Sequence, residues 1–256
     1  MAKMSTFLKF TFVASLAQAH FTFVRLAHNG EWQAPTQFIR STPNTNNNER
    51  LYNFPTFISD YPESVRCGRD NMAHAANTEV LRVKAGDTIE VAHTRISPSD
   101  WAYNQWYECP NGRGSCDPND PDWTMDFNHP GPLLAHLSKT PDGRDVREYD
   151  GSGEWIKIYS SGFDKNEDGS IHWQAYNYEK LPARFIFDIP EQTPAGDNAT
   201  GPLPEGIEIP AGPNTSTPGM RTSLSMYRGE SMDEGYTYPG GLLWTGEEPV
   251  EDKPIL

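Results

Sequence analysis

Short β-type runs broken by turn residues constrain this chain most. "FTFVRLA" (21–27), "TEVLRVKAG" (78–86), "TIEVAHTRI" (88–96), "GEWIKIYS" (153–160) and "ARFIFDIP" (183–190) are rich in β-branched and aromatic side chains. Between them, 22 prolines and 21 glycines interrupt any sustained helical periodicity. The pattern predicts an all-β protein, an antiparallel β-sandwich with long decorated loops. "VKAGDTIEVAH" reads as a strand, a Gly-Asp turn and a second strand. Short helical turns are expected inside the loops, for instance over Pro132–Leu137. There is no internal repeat and no Ser/Thr-rich linker, so one domain is expected.

The first nineteen residues read as a secretory signal peptide. Lys3 and Lys9 supply the basic start, Phe10–Leu16 is mostly apolar, and Ala17-Gln18-Ala19 is the small-x-small pattern cut by signal peptidase. The apolar stretch is too short to span a bilayer. The mature, secreted chain then begins at His20, which carries a primary amine and an imidazole on one residue. Such a residue is either merely the start of a strand or a two-toothed chelator. With a second imidazole facing it, three nitrogens would form a near-planar T, an environment suited to copper rather than zinc or magnesium.

Net charge is −14. An acidic surface argues against nucleic acid and anionic membranes as partners and accommodates a neutral polysaccharide. The sequons at Asn198 and Asn214 fit the secretory route. Of three cysteines, Cys109 and Cys116 bracket the Gly-rich "CPNGRGSC" and are expected to form a local disulfide, which leaves Cys67 in "SVRCGRD" alone.

Seven histidines are present, without a closely spaced zinc-type pair. His129, in "TMDFNHPGPLLAHLSK", is followed by a stiff Pro130-Gly131-Pro132 turn suited to pre-organising a ligand. A plain surface histidine in a proline-rich loop is the alternative.

Several segments together resemble the lytic polysaccharide monooxygenases of auxiliary activity family 9, formerly glycoside hydrolase family 61. They are the histidine after the signal cut, "VRCG", "LRVKAGDTIEVAH", "NHPGPLLAHLSK", "GSGEWIKIYSSG", "LPARFIFDIPEQTPAG" and "LPEGIEIPAG…TPGM…YTYPGGLLWTG". The resemblance implies an immunoglobulin-like antiparallel β-sandwich carrying one copper ion. The ion would be held by His20 (amine and Nδ1) and His129 (Nε2), the residues that would also carry catalysis. It implies a monomer acting on cellulose or a related β-glucan, with an external electron donor and O2 or H2O2 as co-substrates. Oxidation would fall on C1 or C4 of a glucose unit. His136 stands where the family commonly has an aromatic and is read as structural or as supporting the site. Tyr236 and Tyr238 lie where family members can carry a surface tyrosine, and are expected either to stack on sugar or to pack at the sandwich edge. Trp155 is expected in the core.

The chain departs from the family after "IPEQTPAG". Two strands of the forms "YLLRxE" and "QFYxxCAQI" have no counterpart, so an internal deletion is expected near residues 197–198. The absent stretch would hold an axial tyrosine, a glutamine, a histidine that supports the copper site and the cysteine that pairs with Cys67. Its loss would expose a sheet edge and remove a disulfide worth roughly 2–5 kcal/mol, against a domain stability of about 5–15 kcal/mol. A non-catalytic copper- or polysaccharide-binding protein is therefore the second reading. A hydrolase using Asp126 with a distant glutamate is a third, which no feature favours. The "DKNEDGSIHW" loop is an incomplete match to a calcium loop.

Overall fold

The computed structural model describes residues 22–34, 36–40, 66, 68, 70–94, 130–141, 143–174, 185–193, 207–208 and 222–254. "FTFVRLA" forms β1 (Thr22–His28), which turns through Asn29 and Gly30 into the short β2 (Glu31–Trp32). "TIEVAHTRI" forms β3 (Thr88–Thr94), antiparallel to β1 on one side and to β8 (Phe185–Asp188) on the other. The first sheet therefore runs β2-β1-β3-β8. A register shift between Phe23 and Arg25 inserts one extra residue into β1. It lets Phe23 and Leu26 face the same side, opposite His93 and Val91 of β3, although they stand three positions apart.

The second sheet is built on β5 (Glu154–Ser161), with β4 (Leu133–Ser138) antiparallel along one edge. On its other side lie β9 (Ile207–Glu208) and β10 (Leu243–Trp244), and β11 (Pro249–Val250) extends beyond β10. Every described pairing is antiparallel except β10 with β5, where Leu243 stands parallel opposite Lys157. The hairpin of β6 (Phe163–Lys165) and β7 (Ile171–Trp173) follows directly on β5.

The two sheets face each other across one cluster. Phe23, Val91, Phe185 and Phe187 of the first sheet meet Leu133, Ala135, Leu137, Ile156, Ile158, Tyr159 and Trp244 of the second. Tyr159 touches the rings of both Phe185 and Phe187, with centroids 5.8 Å apart in each case, so it bridges the layers. This is the expected all-β sandwich. A second core lies on the opposite side of the β4–β5 sheet. Phe163, Ile171, Trp173, Met226, Tyr236 and Tyr238 form it, with Leu134 and Met232 packed against it. Met226 reaches it from α2 (Leu224–Tyr227), a single turn whose N-cap Ser223 accepts from the Met226 N–H.

Two local expectations differ from what forms. Pro132–Leu137 contains strand rather than a helical turn. Both faces of β4 are covered, with Leu133, Ala135 and Leu137 on the inter-sheet core and Leu134 on the second, so its apolar run lacks the alternation that marks a one-sided strand. In "VKAGDTIEVAH" the turn is present, with Gly86 at φ +86° and the Asp87 N–H donating to the Lys84 carbonyl at 3.1 Å. Only the second half is strand, because β3 pairs with β1 and β8 and not with the residues before the turn. Val80 and Val83, in that leading half, are 50% and 42% exposed.

One more short helix, α1 (Met72–Ala75), is tied down by Arg40, which donates to the Asn71 side chain at 3.0 Å and to the Tyr149 carbonyl at 2.9 Å. Among the described residues no helix is long and apolar enough to cross a membrane.

Candidate functional site

His20 and His129 lie outside the described residues, as do Cys67, Cys109, Cys116, Asn198, Asn214 and Asp126. What is described is the framework into which both histidines run. β1 begins two residues after His20, and β4 begins four residues after His129. Phe23 and Leu133, the first strand residues on each side with a described core contact, pack against the same cluster of Ala135, Ile158, Phe185 and Trp244. Gly131, at φ +152° and with open space where a β-carbon would stand, makes the turn between His129 and β4. Two imidazoles and the primary amine of His20 would make an all-nitrogen donor set, of the chemistry that fits copper. Among the described residues, no three His, Cys, Asp or Glu side chains are grouped to hold a metal.

Tyr236 and Tyr238 are described, and they are core residues. They are 7% and 9% exposed. Tyr236 stands edge-on to Trp173 (centroids 6.3 Å) and to Tyr238 (5.7 Å), and Tyr238 edge-on to Phe163 (6.0 Å). The Tyr238 hydroxyl accepts from the Phe163 N–H at 3.3 Å. Burial raises the pKa of both phenols above the ordinary tyrosine value. Neither ring offers an open face to a sugar, so the expected stacking surface is corrected to packing. The cause is tertiary: the β6–β7 hairpin folds back onto the C-terminal segment and encloses both rings. Trp244 is buried in the inter-sheet core, and Trp155 is half-buried, its indole N–H donating to the Gly151 carbonyl at 2.8 Å.

In the "DKNEDGSIHW" loop Asp168 spends one carboxylate oxygen on the Ser170 N–H (2.9 Å) and hydroxyl (2.6 Å), and Gln174 donates to Asp164. This is ordinary turn chemistry.

Sequence reasoning did not anticipate a buried polar cluster on the outer side of the second sheet. His136 of β4 and Lys157 of β5 stand directly opposite each other, next to a register shift at Ala135/His136. The Lys157 side chain is 0% exposed and that of Asp252 is 7% exposed; their Nζ–Oδ2 distance is 2.5 Å. Lys157 also donates to the Pro239 carbonyl at 2.8 Å. Burial pushes the ammonium below its ordinary pKa, and Asp252 opposes that. The available signal was a lone lysine between Ile156 and Ile158 in an otherwise apolar strand.

Comparison with known proteins places the chain. The sequence model of Auxiliary Activity family 9 (formerly GH61) matches residues 20–198. The AA9 family lytic polysaccharide monooxygenase G of Aspergillus tamarii is 27% identical over 188 residues, covering 72% of this chain and 45% of the relative. The corresponding enzyme H of Malbranchea cinnamomea is 28% identical over 186 residues, covering 72% of this chain and 62% of the relative. The chain thus spans about half to three-fifths of these relatives' lengths. The solved structure of Cel61B from Hypocrea jecorina, described as a glycoside hydrolase family 61 member, aligns with a TM-score of 0.44 and 14% identity, covering 88% of this chain and 100% of that one. Because the family model matches well over half of the 256 residues, the protein belongs to Auxiliary Activity family 9.

Proposed function

We propose that the protein is a secreted, copper-dependent lytic polysaccharide monooxygenase acting on cellulose or a related β-glucan. His20 would hold the ion through its amine and Nδ1, and His129 through Nε2. The observation that carries this reading is the family match, which begins at His20 and includes His129. It is supported by Phe23 and Leu133, which follow the two histidines in sequence and belong to one core cluster.

When bound, copper supplies oxidative cleavage of the glycosidic linkage, drawing on an external electron donor and on O2 or H2O2. The chain's own contribution is positional. Cleavage after Ala19 frees the His20 amine, and the Pro130-Gly131-Pro132 turn restricts the backbone that presents His129. The rigid core under β1 and β4 keeps the two entry points fixed.

A second reading is a copper- or polysaccharide-binding protein without catalysis. It is supported by the end of the family match at residue 198, after which we find no counterpart of the strands that the resemblance leads one to expect, among them one bearing a tyrosine for the copper site. The deciding experiment incubates the mature chain, copper-loaded, with cellulose and ascorbate. Oxidised oligosaccharides support the monooxygenase. Copper uptake without new products supports the binding protein, and unoxidised ends released without copper would sink both. Sequencing the transcript across 196–201 shows whether the junction is genuine.

A further inference from the structure

We propose that His136, Lys157 and Asp252 form an acid-operated latch, which holds a strap made of the two segments flanking β10 and β11 (residues 238–241 and 251–254) on the second sheet and releases it on acidification. The strap returns across that sheet's outer side. It is fastened by the ion pair between Asp252 and Lys157 and by the Lys157 bond to the Pro239 carbonyl, and its two arms are joined by the Tyr238 N–H donating to the Asp252 carbonyl at 3.1 Å. Its glycine turn closes directly over the histidine. A β-carbon at Gly240 would fall 2.6 Å from His136 Nε2, 3.1 Å from Cε1 and 3.8 Å from Lys157 Cδ. Nε2 is buried and makes no hydrogen bond.

The charge balance is what makes this a switch. In the closed strap one carboxylate, Asp252, faces one buried ammonium, Lys157. A proton on His136 places a second cation across the β4–β5 ladder from the first, while Asp252 is the one carboxylate described beside the pair. The other titratable groups of the neighbourhood do not offset it. Tyr236 and Tyr238 stay neutral, and Asp233 and Asp164 act on those phenols rather than on the imidazole. Histidinium is accommodated by lifting the strap so that water reaches Nε2.

Burial first, and then Lys157, lower the His136 pKa from 6.5 to about 4, while the Gly240 backbone and Asp252 pull the other way. A lowered histidine pKa means the closed form binds the proton less well than the open one. Closure is therefore complete above the ordinary histidine range and weakens as pH falls from 6.5 towards 4. Those two values correspond to about a 30-fold rise in the open fraction between pH 7.5 and pH 5.

The test is native-state hydrogen exchange on the full mature chain, corrected for intrinsic rates, at pH 7.5 and pH 5. The Tyr238 amide is expected to lose protection by about 30-fold, while the Val91 amide in β3 changes by less than about threefold. His136→Phe is expected to abolish the difference. Equal loss at Tyr238 and Val91, or the same loss in His136→Phe, overturns the latch. If that variant does not fold, titration of the His136 ring by NMR in the unmodified chain decides. A midpoint near 4 accompanied by shifts in the strap amides supports the latch, and a midpoint near 6.5 without them overturns it.

Discussion

Gly162 sits against Tyr238 so closely that a β-carbon on it would lie 1.7 Å from the phenolic oxygen and 2.1 Å from the ring carbon bearing it. The glycine links β5 to β6, and the tyrosine belongs to the C-terminal strap. The bare backbone is what allows the hairpin to fold over the strap. Gly162→Ala is therefore expected to destabilise the protein by about 3 kcal/mol through overpacking. Tyr238→Phe should not relieve this, because the ring carbon remains. Thermal denaturation of the single and double variants measures both.

The buried ion pair gives a prediction of a different kind. Lys157→Met leaves the Asp252 carboxylate uncompensated in a site 7% exposed, and is expected to cost about 3–5 kcal/mol. Adding Asp252→Leu should recover most of that loss, because an apolar pair needs no desolvated charge. Denaturant unfolding of the two variants distinguishes a charge effect from a packing effect.

Asp87 anchors the turn before β3. Its carboxylate accepts from the Asn29 side chain (2.9 Å) and the Lys84 N–H (2.7 Å), and pairs with His28 Nε2 (2.7 Å). These bonds, Asn29 first, hold its pKa well below the ordinary value of 3.8. A depressed carboxylate stabilises the fold above 3.8, and the contribution fades as pH falls below it. Asp87→Asn should accordingly be less stable than the parent at pH 6, by a margin that narrows at pH 2.5 as the unfolded chain takes up its proton. Chemical denaturation at the two pH values is the check.

The proposed copper site makes the N-terminal amine essential. A mature chain retaining Ala19 ahead of His20 converts that amine to an amide. Copper affinity is expected to fall by at least about tenfold, while the melting temperature of the metal-free protein is unchanged. Titration calorimetry and the nitrogen couplings in the copper resonance spectrum read this out.

Residue patterns of two kinds made much of the fold legible. Aromatic and β-branched runs such as "FTFVRLA" and "ARFIFDIP" became β1 and β8 because such side chains favour the extended, half-buried backbone of a sheet. The family resemblance rested on segments whose order and spacing survive in the chain. The proposal of His20 and His129 rests on the same segments, together with the chemistry of an N-terminal chelator. The burial of Tyr236 and Tyr238 was not legible. "GYTYPGGLLW" is equally compatible with an exposed aromatic platform and a buried one, and enclosure by Phe163 and Trp173, more than sixty residues earlier in the chain, settles it.

By itself, then, the sequence determined the strand-forming segments, the turn at Asp87 and the membership in Auxiliary Activity family 9. Local backbone preference, side-chain period and motif order are all properties of neighbouring residues. Only the tertiary structure decided that "LLAHL" is a strand covered on both faces, that β10 runs parallel to β5, and that Lys157 is buried against Asp252. Those outcomes depend on which distant segment supplies the facing surface. Burial and charge pairing arise from contacts across the chain that no local pattern encodes.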